Sequence, residues 1–433
     1  MTASIIIAVA TCALMILSIL FFPVIKIGKI KLDTYWIVVV FGALLIFAFN
    51  VLDFNYFIGE VTKNTSVNPI KILVLFVSMT FLSVFLDEIG FFRYLANQTL
   101  KFSRGSQFKL FTALYLAVSV LTVFTSNDII ILTFTPFICY FCKNAKINPV
   151  PYLVGEFVAA NTMSMVFIIG NPTNIYLATY YGIDFMAYFK VMLLPTLVSA
   201  VVAYVILCLI FRKELKKSSN PHTERIVIEN GFLLFLGLIH LGVCTVLLAV
   251  CSYIGAEMWL ISLISALSLF VLSMITAFFR RQRLFSVKNV LKRMPWQLIP
   301  FMLSMFALVS AISYHGVTEK ISKLLGNSGL TFKYGIVSFL SANLINNIPM
   351  SVLFSPIIAP LSPEISLGAV YSTIVGSNLG ALLTPVGALA GIMWISMLKN
   401  YEVKLGFFEF IKYGALISLP TLLSNLFVLN LIL

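Results

Sequence analysis

The sequence predicts an all-α polytopic membrane protein with about ten transmembrane helices and two re-entrant hairpins, arranged as two inverted repeats. Three observations support this fold: an apolar composition, a one-sided distribution of basic residues, and an internal repeat. Of the 433 residues, 60% are hydrophobic and only 10% are charged, whereas about a quarter are charged in soluble domains. A soluble core could not bury this much apolar surface, so we expect a multi-pass protein of the inner cell membrane.

Apolar runs near the length of a membrane-spanning helix, about 20 residues, occupy most of the chain. The first run, Ser4 to Phe22, follows no basic segment and lacks a clear cleavage site, so we expect a retained helix. The predicted crossings are residues 4–23, 35–52, 70–87, 151–180, 189–211, 231–252, 258–279, 297–316, 368–396 and 409–432. Two further apolar stretches, residues 108–141 and 335–361, are interpreted as the re-entrant hairpins.

Basic residues fall mainly on one side of this arrangement. The net charge is +13, and with the N-terminus outside, 23 of the 29 Lys and Arg lie in segments predicted to be cytoplasmic. This bias agrees with the positive-inside rule. The positive charge therefore indicates topology and a weak attraction to anionic membrane lipid, and it does not indicate a nucleic-acid partner.

The sequence contains little that indicates catalysis, a cofactor or a metal site. Cys139 and Cys142 form a C-x-x-C pair, but no second pair or His cluster accompanies them, so buried packing is favoured over zinc binding. There is no Gly-rich phosphate loop, H-E-x-x-H or Gly-x-Ser-x-Gly motif. The chain is therefore predicted to be no enzyme and to bind no cofactor. An intramembrane enzyme or a structural scaffold is the alternative class.

An internal repeat is the main indication of function. Three stretches recur in order, at nearly constant offsets of 226, 220 and 217 residues. They are Ser78-Met79 with Gly90 and Ser304-Met305 with Gly316, Asn127 with Pro136 and Asn347 with Pro356, and Asn161 with Gly170 and Asn378 with Gly387. The charge pattern places the ends of the two hairpins on opposite sides, so the copies are inverted. Inverted copies form a site that alternates between the two sides of the membrane, which predicts a secondary transporter.

The repeat also sets the predicted boundaries along the chain. Four parts follow from it: N-terminal scaffold helices (residues 1–69), a first repeat (70–211), central cytoplasmic loops with two helices (212–296), and a second repeat (297–433). Each repeat contains one of the two hairpins. No soluble domain is expected before or after the helices.

Polar residues, Pro and Gly interrupt the apolar segments at four places. These are Ser126-Asn127-Asp128 and Asn346-Asn347-Ile348-Pro349 in the hairpins, and Gly170 to Asn174 and Thr384 to Gly387 within spans. Such breaks expose carbonyls for a cation and helix N-termini for an anion or a polar oxyacid. The predicted substrate and ion-binding residues are Ser126, Asn127, Asp128, Asn161, Asn171, Thr173, Asn174, Asn346, Asn347, Asn378 and Thr384. We expect Asn127, Asn161, Asn347 and Asn378 to converge near the bilayer midplane and to line one cavity.

Ionisable residues at membrane depth are few, and they are the candidates for coupling to an ion gradient. Asp128 lies at the first hairpin break, where it either carries a proton, binds sodium or caps the second hairpin helix. Glu156 is either a buried functional carboxylate or an interfacial one. Asp87 and Glu88 end a helix at the predicted cytoplasmic boundary, where a solvated or structural role is favoured. All basic residues lie at or beyond predicted boundaries, which favours a neutral or weakly charged solute.

Several motifs resemble the arsenite/antimonite efflux pump family of the ion transporter superfamily. They are Leu86-Asp87-Glu88-Ile89-Gly90-Phe91-Phe92, Asn127-Asp128 with Leu132-Thr133 and Thr135-Pro136, Pro295-Trp296-Gln297, Asn346-Asn347-Ile348-Pro349, and Gly376-Ser377-Asn378-Leu379-Gly380 with Thr384-Pro385-Val386-Gly387. The resemblance covers about residues 70–415. It departs at Asn161 and Asn378, where the pump pattern has acidic residues, and an amide at these positions cannot exchange a proton.

This resemblance implies a scaffold, a transport domain and two opposed hairpins, with proton-coupled efflux of arsenite or cotransport of an anion. Combined with the residues above, it leads us to expect transport of a small oxyanion or neutral oxyacid, arsenite-like or antimonite-like, coupled to a proton or sodium gradient. The alternatives are a sodium-coupled di- or tricarboxylate transporter and a sodium/proton antiporter of the same superfamily. A homodimer is compatible with the sequence.

Overall fold

The computed structural model describes residues 2–22, 24–27, 30–63, 68–103, 105–218, 228, 230–251, 253–279 and 285–433. Nine helices in these ranges are long and apolar enough to cross a membrane, which confirms the predicted all-α multi-pass fold. The N-terminal part contains α1 (Thr2–Phe21), an antiparallel hairpin of β1 (Val24–Ile27) and β2 (Ile30–Asp33), α2 (Thr34–Ala48) and α3 (Phe54–Thr62).

The remaining helices fall into two series joined by a central part. The first series is α4 (Pro69–Glu88), α5 (Phe91–Ser103), α6 (Gln107–Phe124), α7 (Asn127–Ala145), α8 (Val150–Met163), α9 (Pro172–Tyr180) and α10 (Phe185–Ile210). The central part is α11 (Arg212–Leu215), α12 (Gly231–Val250), α13 (Met258–Phe279) and α14 (Phe285–Arg293). The second series is α15 (Leu298–Tyr314), α16 (Val317–Leu325), α17 (Leu330–Ile345), α18 (Asn347–Ile358), α19 (Pro363–Gly380), α20 (Leu389–Asn400) and α21 (Phe407–Ile432).

The surface of α10 shows how these helices suit a membrane. Its exposed residues follow the three- and four-residue spacing of one helix face, and they are 42–63% exposed: Leu194, Leu197, Val201, Val205 and Leu209. The opposite face is buried and includes the small or polar residues Thr196, Ser199 and Ala203. An apolar stripe of this length is unfavourable in water, but it is the expected surface of a helix in lipid.

The two series correspond helix for helix, α4 to α10 with α15 to α21. Gly90 and Gly316 occupy equivalent places after α4 and α15, and both have a positive φ, +86° and +69°. Short 3-10 turns at Ile168–Gly170 and Pro385–Gly387 keep the predicted offset of 217 residues. Five predicted crossings separate the two hairpins. An odd number places the hairpins on opposite sides of the membrane, so the repeats are inverted.

Each hairpin turns within one or two residues. Helix α6 ends at Phe124 and α7 begins at Asn127, while α17 and α18 are separated by Asn346 alone. Asn346 has a φ of +70° and a ψ of 153°, a backbone region that is essentially limited to glycine and that costs other residues about 1–3 kcal/mol. The first helix pair covers residues 107–145 and is longer at both ends than the predicted 108–141. The second covers residues 330–358 and begins before the predicted start at residue 335. Hydropathy marks only the apolar centre of a helix, and its polar ends are therefore missed.

Both predicted breaks within spans are present, and each begins earlier than its Pro and Gly residues suggest. Helix α8 ends at Met163 and α19 at Gly380. After the first break, the Asn171 side chain accepts a hydrogen bond from the Thr173 amide at 3.1 Å and so caps α9, and Pro172 fits the first helical turn. Gly170 lies so close to the Ser164 carbonyl oxygen that a Cβ atom would clash with it.

Some elements were not predicted from the sequence. The β-hairpin between α1 and α2 has four-residue strands, and the helices α3, α14 and α16 each have nine residues. Segments this short do not span a membrane, and their hydropathy does not distinguish them from loops. The all-α expectation therefore holds for the membrane-spanning part, and the β-hairpin is an addition outside it.

Gly376→Ala is expected to destabilise the protein by about 1–3 kcal/mol, because overpacking forces backbones apart. Helix α17 packs closely along α19, and a Cβ atom on Gly376 would lie 2.5 Å from the Gly335 carbonyl oxygen and 2.7 Å from the Phe339 amide nitrogen. Gly368→Ala on the same helix is the control, since its nearest neighbour is Thr331 Oγ1 at 3.5 Å. Thermal unfolding of the purified protein measures both, and equal midpoints would contradict this packing.

The predicted cytoplasmic side can be tested by labelling. Ser106 and Ser218, from two segments predicted to be cytoplasmic, form an isolated β-bridge and therefore lie on the same side. Ser218→Cys is expected to resist a membrane-impermeant thiol reagent on intact cells and to react after permeabilisation. Asn327→Cys, in the opposite loop, is the control and is expected to react on intact cells. Rapid labelling of Ser218→Cys on intact cells would overturn the topology. Residues 219–227 and 280–284 of the two basic loops lie outside the described residues.

Candidate functional site

The tip of the first hairpin is bonded to the broken helix of its own repeat. Asn127, the first residue of α7, donates from Nδ2 to Asn161 Oδ1 at 3.1 Å. Asn161 lies near the end of α8 and donates from its own Nδ2 to the Phe157 carbonyl oxygen at 2.8 Å. Both asparagines are buried. This contact places a carboxamide pair at the point where the hairpin and the broken helix meet.

Asn378 on α19 connects the two repeats. Its Oδ1 accepts from Ser164 Oγ and from Asn171 Nδ2, both at 3.0 Å. Its Nδ2 donates to Asn174 Oδ1 at 2.7 Å and to the Ile374 carbonyl oxygen at 2.8 Å. A carboxamide has two hydrogens and two oxygen lone pairs, so all its hydrogen-bonding capacity is used. An acid at this position could not make the same set of bonds.

Hydroxyl groups extend this network. Ser377 Oγ donates to Thr173 Oγ1 at 2.7 Å, and Thr173 Oγ1 donates to Asn171 Oδ1 at 3.1 Å. Asn174 Nδ2 donates to the Ser164 carbonyl oxygen at 2.8 Å. Every polar residue of the first break therefore contacts α19 directly or through one neighbour. We call the connected set the amide network: Asn127, Asn161, Ser164, Asn171, Thr173, Asn174, Ser377 and Asn378.

The second hairpin forms a separate polar group. Asn346 Nδ2 donates to the Val386 carbonyl oxygen at 3.0 Å, and Thr384 Oγ1 donates to Asn343 Oδ1 at 2.7 Å. These bonds tie the second tip to the second break, as Asn127 ties the first tip to α8. Asn347 is buried beside them, but the described residues provide no partner for its Oδ1. The predicted site residues are thus divided between two groups.

The structure joins three of the four asparagines that were expected to converge. Asn127, Asn161 and Asn378 belong to the amide network, whereas Asn347 does not. They line neither of the two larger cavities described below, because most of their amide groups bond to one another or to neighbouring polar side chains. Asn127 Oδ1 and Asn347 Oδ1 are buried without a partner among the described residues. These repeat-related carbonyl oxygens are suitable ligands for a hard cation.

A cavity of about 480 Å³ leads to the first hairpin tip. Ser126 and Asp128 lie at its inner end, and Asp33, Lys292 and Arg293 lie at the predicted cytoplasmic end. The remaining lining is mainly apolar and includes three methionines, Met294 just after α14 and Met393 and Met397 on α20. We call this space the vestibule. It connects the predicted cytoplasmic face with the carboxylate at the start of α7.

Three carboxylates occupy different surroundings in and near the site. Glu156 is fully buried, and Thr135 Oγ1 contacts both of its oxygens at 3.0 and 3.1 Å. Asp128 is partly buried and has no hydrogen bond within the described ranges, so it does not cap α7. Asp33 accepts from Gln297 Nε2 at 2.7 Å. Burial raises the pKa of the Asp33 carboxyl above its usual range, although the bond from Gln297 opposes this.

Asp87 and Glu88 have a structural role at the end of α4. Arg293 bonds both carboxylates, and Asn289 Nδ2 donates to Glu88 Oε1 at 2.8 Å. Thr133 Oγ1 on α7 donates to Asp87 Oδ1 at 2.7 Å. This cluster joins α4, α14 and the first hairpin and borders a second cavity of about 470 Å³. These contacts are compatible with the structural role that the sequence favours for these two residues, which stays a prediction.

Several site residues were missed from the sequence. Ser377 and Thr135 lay within motifs but were not singled out, and Ser164, Asn343 and Asp33 had no signal beyond being polar. Within the described ranges no Lys, Arg or His is fully buried, and no group of three His, Cys, Asp or Glu could hold a metal ion. The site therefore consists of amides, hydroxyls and carbonyls, with carboxylates beside it.

A multi-pass helical fold with inverted repeats and a polar network at its helix breaks is typical of a membrane transporter. A model of the citrate transporter family (CitMHS) matches residues 2–375. The chain belongs to this family.

Individual relatives agree with this class. The chain is 26% identical over 371 residues to the arsenical pump membrane protein of Escherichia coli (strain K12), covering 81% of this chain and 84% of that protein. It is 26% identical over 404 residues to the putative arsenical pump membrane protein of Bacillus subtilis (strain 168), covering 85% and 88%. The YdaH transporter of Alcanivorax borkumensis shares the fold, with a TM-score of 0.60 at 14% identity over 99% of this chain and 98% of that chain.

Proposed function

We propose that the protein is a secondary active transporter that moves a small neutral oxyacid or weakly charged oxyanion, arsenite-like or antimonite-like, driven by a proton or sodium gradient. The observation that carries this proposal is the amide network, which joins both inverted repeats at interrupted helices. A site shared between inverted repeats can be exposed to either side when one part moves against the other. The relatives named as arsenical pumps support the same substrate class.

The polarity of the site favours a solute with little charge. A tricarboxylate anion needs cationic partners when it leaves water, and no Lys or Arg is fully buried among the described residues. Amides and hydroxyls instead exchange hydrogen bonds with an undissociated acid at small cost. Arsenous acid is such a solute, because it carries three hydroxyl groups and is neutral near pH 7.

Two arrangements support coupling to a cation. Asp128 stands at the inner end of the vestibule without a hydrogen-bonding or cationic partner in the described ranges, so it can accept a proton or a sodium ion. Glu156 is the second candidate, since the Thr135 hydroxyl is the one group that bonds to it in the part of the chain that the structure describes. The buried oxygens Asn127 Oδ1 and Asn347 Oδ1 provide further ligands for sodium. The proposal therefore includes both a proton and a sodium ion as the possible coupling ion.

A sodium-coupled di- or tricarboxylate transporter is the second candidate, and the citrate transporter family match favours it. A sodium/proton antiporter is the third candidate. The buried oxygens Asn127 Oδ1 and Asn347 Oδ1 favour it, because they have no partner among the described residues and are suitable ligands for sodium. Two expectations from the sequence stay predictions. One is the division of the chain into four parts at residues 1–69, 70–211, 212–296 and 297–433, and the other is a homodimer.

Counterflow in proteoliposomes separates these candidates, because it needs no gradient of the coupling ion. Vesicles loaded with unlabelled arsenite, antimonite, citrate or succinate are diluted into tracer of the same solute at equal sodium and pH. The proposal expects tracer overshoot with arsenite or antimonite only. Overshoot with citrate alone would establish the second candidate, and sodium exchange without any oxyacid flux would establish the third.

A further inference from the structure

We infer that Asp33 and Asp128 make the vestibule selective for cations and for neutral solutes that donate hydrogen bonds, and that Asp33 is a specificity-determining residue there. The inference deepens the proposed function and rests on it for the identity of the solute that passes. The charge preference of the vestibule itself can be measured without transport.

The position of Asp33 is the first step. Asp33 stands at the N-cap of α2, but its side chain makes no capping bond. Its carboxylate accepts from Gln297 Nε2 at 2.7 Å instead, and both residues line the vestibule. A neutral amide orients a carboxylate without neutralising it. Asp33 therefore presents its charge to the same space as Asp128, from the opposite end.

The surrounding charges do not cancel these two. Lys292 and Arg293 also line the vestibule, but Arg293 is bonded to Asp87 and Glu88, and Lys292 is exposed. Among the described side chains, the charged groups that line the vestibule are Asp33, Asp128, Lys292 and Arg293, and Asp87, Glu88 and Arg93 line the cavity beside it. Four carboxylates against three cations leave a net charge of −1 in these groups, and the two carboxylates without a described ion-pair partner, Asp33 and Asp128, both line the vestibule. A cleft of one sign with apolar walls raises the local concentration of oppositely charged solutes.

Ser126 provides an independent indication of a ligand. Its side chain is 8% exposed and lines the inner end of the vestibule beside Asp128. Its hydroxyl has no hydrogen-bond partner in the part of the chain that the structure describes, and it does not cap α7. The residue is buried but its hydroxyl faces the vestibule, where a mobile ligand or water can pair with it. With two carboxylates nearby, the complementary solute is one that brings O–H donors or a positive charge.

The same arrangement disfavours a free polyanion. Citrate and succinate bring carboxylate oxygens, which are acceptors only, and their charge has the same sign as that of the vestibule. An undissociated oxyacid brings hydroxyl donors and no charge. The vestibule would therefore admit the proposed substrate class and reject the free anions of the second candidate before they reach the amide network.

Charged thiol reagents measure this preference directly. Met393→Cys places a reporter in the vestibule wall, and inside-out membrane vesicles expose the cytoplasmic side. We expect a cationic methanethiosulfonate reagent to modify it about tenfold faster than an anionic one, after correction for their rates with a free thiol. Raising the ionic strength should reduce this preference. Wild-type protein is the blank, and its rate is subtracted, because Cys12 and Cys208 are partly exposed whereas Cys139, Cys142, Cys244 and Cys251 are buried.

Variants then test the role of Asp33. In the reporter background, Asp33→Asn is expected to reduce the preference about threefold or more, and Asp33→Glu is expected to retain it. Asp53→Asn is the matched control, since it removes one charge from the exposed cap of α3 and should leave the preference unchanged.

Two results would overturn the inference: equal corrected rates for both reagents, or a preference that Asp33→Asn leaves intact. If Met393→Cys does not fold, Met397→Cys supplies a second reporter in the same wall. The result is independent of the proposed function. A cation-selective vestibule in a protein that shows no oxyacid counterflow would sustain this inference and reject the proposed substrate.

Discussion

Asp128→Asn is expected to lower gradient-driven transport more than about a hundredfold, while the protein still inserts and folds and counterflow persists. The substitution retains size and hydrogen bonding but removes the charge that a proton or sodium ion would neutralise. Folding should be preserved, because the Asp128 carboxylate makes no hydrogen bond in the described ranges that Asn would lose. Tracer accumulation in proteoliposomes with imposed proton and sodium gradients is the measurement.

The control for this substitution is Asp184→Asn. Asp184 caps α10 by accepting from the Ala187 amide at 2.7 Å, and Asn serves about equally as a cap, so transport should be unchanged. If Asp128→Asn accumulates solute at the wild-type rate, the coupling role passes to Glu156 or to the unpartnered carboxamide oxygens. Glu156→Gln then becomes the informative variant, because Gln keeps the contact with the Thr135 hydroxyl and cannot take up a proton.

Asn378→Asp is expected to abolish transport and to lower the free energy of unfolding by about 3–5 kcal/mol, the cost typical of a buried unpaired charge. The amide nitrogen donates to both Asn174 Oδ1 and the Ile374 carbonyl oxygen. An ionised carboxylate would place an acceptor against both of these oxygens. A protonated one has a single hydrogen and leaves one of them unpaired. Unfolding of the detergent-purified variant and counterflow in vesicles measure the two effects.

Asn161→Asp provides the comparison within the same network. Asn161 Oδ1 accepts from Asn127, and a carboxylate oxygen would still accept this bond. A protonated carboxyl has one hydrogen for the single acceptor at this position, the Phe157 carbonyl oxygen, so no partner is left unpaired and the expected destabilisation is about 1–3 kcal/mol, smaller than at Asn378. An equal loss of stability at both positions would contradict the assigned orientation of the Asn378 amide.

The positions of the helix breaks could be predicted from the sequence, because Pro and Gly act locally. Asn171 caps α9, Pro172 begins it, and Gly170 lies where a Cβ atom would clash. The effects of Pro and of Gly are therefore both present within residues 170–174. Likewise, the matched positions of Asn161 and Asn378 indicate a repeat from the order of residues alone, and the distribution of basic residues indicates that the copies are inverted. Local chemistry and repeated order were sufficient for these features.

Contacts between distant segments could not be predicted in this way. Asp33 and Gln297 are 264 residues apart, and nothing in either segment indicates the other. Asn378 bonds Asn171 and Asn174 of the other repeat, whereas strict symmetry would have paired it with Asn347 of its own hairpin. The packed amide network differs from the open cavity that was expected, because side-chain orientation decides whether neighbouring amides satisfy each other or face solvent.

The central claim is that the protein concentrates a small oxyacid across a membrane by coupling to a cation gradient. Steady-state accumulation of radiolabelled arsenite in sealed proteoliposomes tests it most directly, with a proton or a sodium gradient imposed separately and with an ionophore that collapses each. We expect an inside-to-outside concentration ratio well above one under one of the two gradients, falling to one when that ionophore is added. A ratio of one under both gradients, in vesicles whose protein is folded and correctly inserted, would contradict the account.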